Sequence, residues 1–126
     1  MTAVVQFGFH SVHFSPMFGG RAPLLDVVAA TRDAGFDAIG LDLASVEGSG
    51  LWSDIGLVID DAGLTCTDVL VLMPGAEVDL SGSTRRLGEL AERTGASNCI
   101  AAVAAPVPWP QLVGDLARAA DVLAGH

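Results

Sequence analysis

The chain has 126 residues, of which 51% are hydrophobic and only 17% are charged. Its net charge is −9 and its six basic residues are all arginine, which argues against nucleic acid and against an anionic membrane surface as partners. The length fits one domain, residues 1–126, with a substantial core. No apolar run is long enough to cross a membrane and the N-terminus lacks the pattern of a secretory signal, so we expect a cytoplasmic protein.

A repeated sequence pattern predicts the architecture. Three amphipathic stretches each end at a glycine that is followed at once by an apolar run, and these glycines are Gly35, Gly63 and Gly95. Glycine suits the left-handed turn that closes a helix, because it has no Cβ to clash there. The spacing of about 30 residues is the length of one strand-plus-helix unit. This order predicts parallel strands joined by helical crossovers.

The predicted elements alternate along the whole chain. The predicted strands cover residues 4–10, 38–43, 65–72 and 97–105. The four predicted helices start at Pro23, at the N-caps Ser53 and Ser83, and near Pro110. Residues 11–22 and 44–51 are predicted loops. The last helix is expected to bury one apolar stripe, made of Leu112, Leu116, Ala119, Ala120 and Leu123.

Four such units are half of a known architecture. An eight-stranded (β/α) barrel needs roughly 250 residues, about twice the length of this chain. The predicted fold is therefore α/β: a (β/α)4 half of a TIM barrel, with parallel strands and helices on the outer face.

Strand alternation assigns side chains to the two faces of the sheet. In the second strand Ile39 and Leu41 should face the helices, which leaves Gly40 and Asp42 on the inner face. His10 should point inward from the first strand. His10 and Asp42 then end neighbouring parallel strands, the end at which ligands bind in α/β folds. We therefore predict them as substrate-binding residues, the alternative being that both are simply solvated. Asp68 is a buried-carboxylate candidate, assigned to the face of Cys66.

Other residues give weaker indications. Cys66 and Cys99 fall in predicted strands and are expected to be buried free thiols. Trp52 and Trp109 each follow a strand end and are expected to pack against the next helix. The sequence contains no P-loop, GxSxG, HExxH or paired CxxC motif, so nucleotide-binding, serine-hydrolase and common zinc sites lack support.

Three stretches resemble the xylose isomerase-like TIM-barrel superfamily, which includes sugar-phosphate isomerases and epimerases. They are LDVVAATRDAGFDAIGLD (25–42), DAGLT (61–65) and LGELAERTGA (87–96). The resemblance implies an isomerase or epimerase of a sugar or related polyol that uses a divalent metal, Mn or Mg. It covers only the first four βα units of the family, whose metal ligands lie chiefly in strands five to eight. No metal ligand is therefore expected in this chain. The family often has Glu where this chain has Gly40, and the endonuclease IV-like branch is disfavoured because the third and fourth strands do not end in His.

Three hypotheses follow for the function. The first is the N-terminal half of a sugar isomerase/epimerase-like barrel that is not catalytically self-sufficient and contributes His10 and Asp42 to a site for a small sugar-like molecule. The second is a non-catalytic assembly module that associates with itself or with a second half-barrel, because an isolated half leaves two sheet edges unpaired. The third is a self-contained flavodoxin-like open sheet.

Overall fold

A computed structural model describes residues 5–75, 78–103 and 106–126. Strands are separated by helical segments through these residues, and β2 is followed by two helices. The strands are β1 (Gly8–His10), β2 (Ala38–Asp42), β3 (Thr65–Leu72) and β4 (Asn98–Ala101). The α-helices are α1 (Leu24–Asp33), α2 (Leu43–Ser49), α3 (Ile55–Asp61), α4 (Leu80–Thr94) and α5 (Trp109–Leu123). Two short 3-10 turns, Ser11–Phe14 and Pro16–Phe18, follow β1.

The four strands form one parallel sheet in the order β1-β2-β3-β4. Consecutive strands are therefore neighbours throughout, as in a (β/α) barrel. A flavodoxin-like sheet instead reverses its strand order at a switch point, so the third hypothesis was wrong. The predicted half-barrel is confirmed.

The hydrophobic core lies between one face of the sheet and the helices. The sheet contributes Ile39, Leu41, Cys66 and Val69, and the helices contribute Val28, Ile59, Leu87 and Leu90. All eight are almost completely buried. The predicted outward direction of Ile39 and Leu41 is confirmed, because both contact the helices and leave Gly40 to the other face.

The helix α2 was not predicted, and it occupies most of the predicted loop 44–51. The Asp42 carboxylate caps this helix by accepting a hydrogen bond from the Ser45 N–H at 3.0 Å. The helix ends at Gly50, whose φ of 74° is left-handed. Its small and polar composition hid it, since a short helix of this kind is held by its cap and its neighbours rather than by propensity.

Two predicted helix caps were wrong. The helix α3 begins at Ile55 after Asp54 and has no side-chain cap from Ser53. The helix α4 begins earlier than predicted, at Leu80, because the Asp79 carboxylate accepts a hydrogen bond from the Gly82 N–H at 3.0 Å. Ser83 is consequently buried inside the helix rather than at its start.

The last helix also packs differently from the prediction. It lies against α4 and buries Asp115 and Ala119, whereas Leu116 and Ala120 are exposed. Asp115 turns inward because its carboxylate accepts a hydrogen bond from the Gly75 N–H at 3.1 Å. This contact rotates the predicted apolar stripe partly into solvent.

The two tryptophans have different surroundings. Trp52 packs against the core, and the Arg93 guanidinium lies 5.5 Å from its ring centroid, as the predicted packing requires. Trp109 is 73% exposed, so the expectation that it packs against a helix was wrong. No helix of the described part is both long and apolar enough to cross a membrane.

Candidate functional site

A bulge in β3 sets the geometry of the inner face. Ile39 pairs with Cys66 and Leu41 pairs with Val69, so two residues of β3, at positions 67 and 68, oppose the single Gly40. Such a bulge changes the direction of the side chains that follow it. Asp68 therefore leaves the face of Cys66, to which strict alternation had assigned it, and lies on the inner face. That assignment was wrong because one inserted residue cannot be recognised from alternation alone.

His10 and Asp68 meet on this inner face. His10 Nε2 lies 2.9 Å from Asp68 Oδ2, and each side chain is 20% exposed. Gly40 lies between them in the register, as the partner of His10. A Cβ on Gly40 would lie 2.6 Å from His10 Nε2 and 2.7 Å from Asp68 Oδ2. The absence of a side chain at Gly40 is therefore what allows the two to approach.

The hydrogen bond on its other nitrogen fixes the protonation of His10. The Val12 N–H donates to His10 Nδ1 at 3.1 Å, so Nδ1 carries no proton. The ring is then neutral and bears its proton on Nε2, the atom that faces Asp68.

Neither of these two facing atoms has a hydrogen-bond partner among the described residues. His10 Nε2 and Asp68 Oδ2 are shielded from solvent, yet neither forms an aligned hydrogen bond within the described residues. A buried polar atom without a hydrogen bond is costly. The two atoms together offer one N–H donor and one carboxylate acceptor to a ligand that enters the inner face.

Neighbouring residues hold Asp68 and extend the polar line across the sheet. Thr67 Oγ1 donates to Asp68 Oδ1 at 2.8 Å, which orients the carboxylate. Asn98 is the register partner of Asp68 on β4, and its Nδ2 donates to the Thr67 carbonyl at 3.4 Å. Asn98 was not predicted for the site, because a single Asn at the start of a strand belongs to no recognisable motif.

Asp42 does not meet His10, although both were predicted for the site. It is fully buried, and Ser11 Oγ donates to its Oδ1 at 2.5 Å while accepting from the Asp42 N–H at 3.0 Å. Burial acts to raise the pKa of Asp42, but hydrogen bonds from Ser11, Ser15 and Ser45 outweigh it and hold the pKa below its usual value. In this structure Asp42 anchors the residue that follows His10. A role for either residue in substrate binding stays a prediction.

The described residues do not by themselves fit a divalent metal. Within 5–75, 78–103 and 106–126, no three His, Cys, Asp or Glu side chains are grouped to hold an ion. Of the described residues on the inner face, His10 and Asp68 come together, with Nε2 and Oδ2 2.9 Å apart, and two such side chains are too few to hold an ion by themselves.

The two thiols are free, as predicted. Cys66 is buried, and burial raises the pKa of its thiol. Cys99 is only half-buried, and burial also raises its pKa. Both thiols are therefore protonated near neutral pH, which argues against nucleophilic or metal-binding roles.

Comparison with known proteins supports the fold. No protein-family model matches the sequence, and no curated protein matches it significantly. Two crystal structures of D-allulose 3-epimerase from Methylomonas sp. do match. One, an N-terminally His-tagged form with additional C-terminal residues, is 16% identical with a TM-score of 0.61. The other, in complex with D-allulose, is 14% identical with a TM-score of 0.62.

Each match covers 96% of this chain but only 48% of the epimerase chain. The chain therefore spans about half the length of these solved proteins. At such low identity the likeness shows the fold alone: four consecutive βα units, which are half of a TIM barrel. The predicted resemblance is confirmed at that level.

Proposed function

We propose that this chain is the N-terminal half of a sugar isomerase/epimerase-like barrel, and that His10 and Asp68 bind a hydroxyl group of a sugar or related polyol. The observation that carries the proposal is the pair of solvent-shielded atoms, His10 Nε2 and Asp68 Oδ2, that lack aligned hydrogen bonds. His10 is the last residue of β1, and ligands of (β/α) barrels bind at the carboxyl ends of the strands.

The chemistry of the pair selects a hydroxyl. A hydroxyl group accepts one hydrogen bond and donates another, so a single ligand atom satisfies both His10 Nε2–H and the Asp68 carboxylate. An anionic group would meet the Asp68 charge at close range, in a chain whose net charge is −9. The pair therefore favours a neutral polyol over a phosphorylated one. The solved epimerase with bound D-allulose is consistent with this substrate class.

Asp42 acts on the site indirectly in this proposal. It holds Ser11, the neighbour of His10, through two hydrogen bonds. Asp42 is therefore a positioning residue for the end of β1, and the substrate contact that was predicted for it passes to Asp68.

Turnover requires metal ligands that the described residues of this half-barrel do not supply. The family resemblance implies a divalent metal that would polarise a sugar oxygen during proton or hydride movement, and the described residues do not group the ligands for it. We therefore expect no turnover by the lone chain with added Mn²⁺ or Mg²⁺. Turnover under those conditions would contradict the claim that the lone chain is not catalytically self-sufficient.

Calorimetric titration with D-allulose and other ketohexoses tests the binding claim. Asp68→Asn removes the charged acceptor, and we expect affinity to fall by about 10- to 100-fold, the equivalent of one charge-assisted hydrogen bond at roughly 1.5–3 kcal/mol. Asp60→Asn on the exposed face of α3 is the matched control and should change nothing. Equal affinity of Asp68→Asn and the unaltered protein would refute the site.

The assembly module is the second candidate. It is favoured by one observation: apolar surface lies exposed at both ends of the sheet.

A further inference from the structure

The first strand ends in an apolar groove. A cavity of about 360 Å³ lies between β1 and α1, and its lining is almost entirely apolar. Phe9 and Phe36 line it, with ring centroids 5.8 Å apart, and Val27 and Ala30 line it from α1. We call this the β1 groove. It lies beside a strand whose outer edge has no neighbour among the described strands.

The opposite end of the sheet carries an apolar ridge. On α5, Trp109 is 73% exposed, Val113 46% and Leu116 42%. Their spacing of four and three residues places them on one side of the helix, and we call them the α5 ridge. Each of the other helices exposes at most one large apolar side chain within the described residues, Leu25 on α1 and Leu57 on α3.

The solvent-accessible surface area of the chain is larger than expected for a compact monomer of its mass. A compact monomer of 12.9 kDa is expected to expose about 6,300 Å², whereas this chain exposes 7240 Å². The excess of about 900 Å² is close to what one partner contributes to an interface of standard size.

We propose that two copies of this chain close into one eight-stranded barrel. The α5 ridge of each copy packs into the β1 groove of the other, and β4 of each copy lies beside β1 of its partner. In a (β/α) barrel the helix after a strand covers that strand and the next one. A partner's α5 would therefore lie over β1, where the groove is.

The ridge and the groove select a second copy as the occupant. They are complementary in character and lie at opposite ends of the same sheet, so one contact made twice about a twofold axis leaves no open edge. In the solved epimerases, the region that matches this fold makes up 48% of a longer chain. The closed dimer would also enclose His10 and Asp68 between two inner faces. This proposal does not depend on sugar binding.

Sedimentation velocity of the whole chain over a range of concentrations tests the association. We expect a species of twice 12.9 kDa that dissociates on dilution. Leu116→Lys alters the ridge and Ala30→Glu, at an exposed position of α1, alters the groove. Each should weaken dimerisation at least tenfold, because it puts a charge into an apolar contact. Leu57→Lys, at a position 66% exposed on α3, is the matched control and should leave the mass unchanged.

Mixing the two variants distinguishes this contact from any other. In a mixed dimer one interface pairs Lys with Glu and the other has only unaltered residues, so we expect dimers to reappear. Circular dichroism checks that each variant folds.

Four results would overturn the proposal: a monomer at all concentrations, a dimer unaffected by either variant, no dimer on mixing, or open-ended oligomers. Association only with a separately produced C-terminal barrel half would overturn it as well. No sugar is present in these experiments, so their failure and the failure of the polyol site are distinguishable.

Discussion

Gly40→Ala perturbs the candidate site by a single methyl group. The added Cβ would lie 2.6 Å from His10 Nε2 and 2.7 Å from Asp68 Oδ2. The atom nearest to the added Cβ is His10 Cδ2. A carbon atom needs roughly 3.5 Å from such neighbours, so the Asp68 carboxylate must retreat by almost 1 Å and the His10 ring by more. Because φ at Gly40 is not in the left-handed region, the backbone itself tolerates alanine.

The effects on stability and on binding should separate. Alanine gains about 0.5–1 kcal/mol over glycine within a strand, whereas overpacking costs about 1–3 kcal/mol. The net loss is then about 0–2.5 kcal/mol, which corresponds to a fall in Tm of no more than roughly 10 °C. Polyol affinity should instead fall by at least tenfold, because the donor and the acceptor no longer converge.

Calorimetric titration with ketohexoses, together with thermal melting, measures both effects. Gly8→Ala is the matched control, since a Cβ there would meet the nearest atom, Ala38 Cβ, at an ordinary 3.4 Å. If Gly40→Ala folds and binds a ketohexose as tightly as the unaltered protein, the pair does not form the site and the reasoning fails.

Three further predictions concern the scaffold. Asp42→Asn should lower the free energy of unfolding in urea by about 1–3 kcal/mol at pH 7. Because the folded pKa of Asp42 is lowered, its contribution to stability is present above about pH 4 and is lost as the pH falls through the folded pKa. A stability deficit that is larger at pH 3 than at pH 7 would contradict this role. Cys66 should react with iodoacetamide at pH 8 only as fast as the chain opens, because its thiol is buried and its pKa raised; mass spectrometry showing the rate of a free thiol would refute its burial. Asp79→Ala should cost about 1 kcal/mol through loss of the α4 cap, and unchanged chemical denaturation would show that this cap contributes nothing.

The fold was predictable because glycines and apolar runs recur along the sequence at the spacing of one strand-plus-helix unit. Each glycine after a helix reflects a local constraint on the backbone, and the structure has Thr65–Leu72 as a strand at the predicted bounds. The helix α2 was not predictable in this way, because its cap Asp42 looked like a site residue. Sequence could not distinguish the two roles, since both need a carboxylate at the end of a strand.

The site was predictable only in part. Strand alternation placed His10 and Gly40 on the inner face, where the structure has them, but the carboxylate that His10 meets there is that of Asp68 rather than that of Asp42. The error has one physical source: the bulge opposite Gly40 shifts the phase of β3, and a bulge depends on pairing between strands rather than on local composition. The ridge on α5 escaped prediction for a similar reason, because the tertiary contact of Asp115 with the Gly75 N–H sets the rotation of that helix.

Nitrogen-15 NMR of the His10 ring tests the central claim most directly, with His10→Gln used to assign the resonances. We predict a neutral ring with Nδ1 unprotonated, because it accepts the Val12 N–H, and an Nε2 resonance that moves when a ketohexose is added. A proton on Nδ1, or an Nε2 resonance that stays in place at saturating ketohexose, would contradict a polyol site formed by His10 and Asp68.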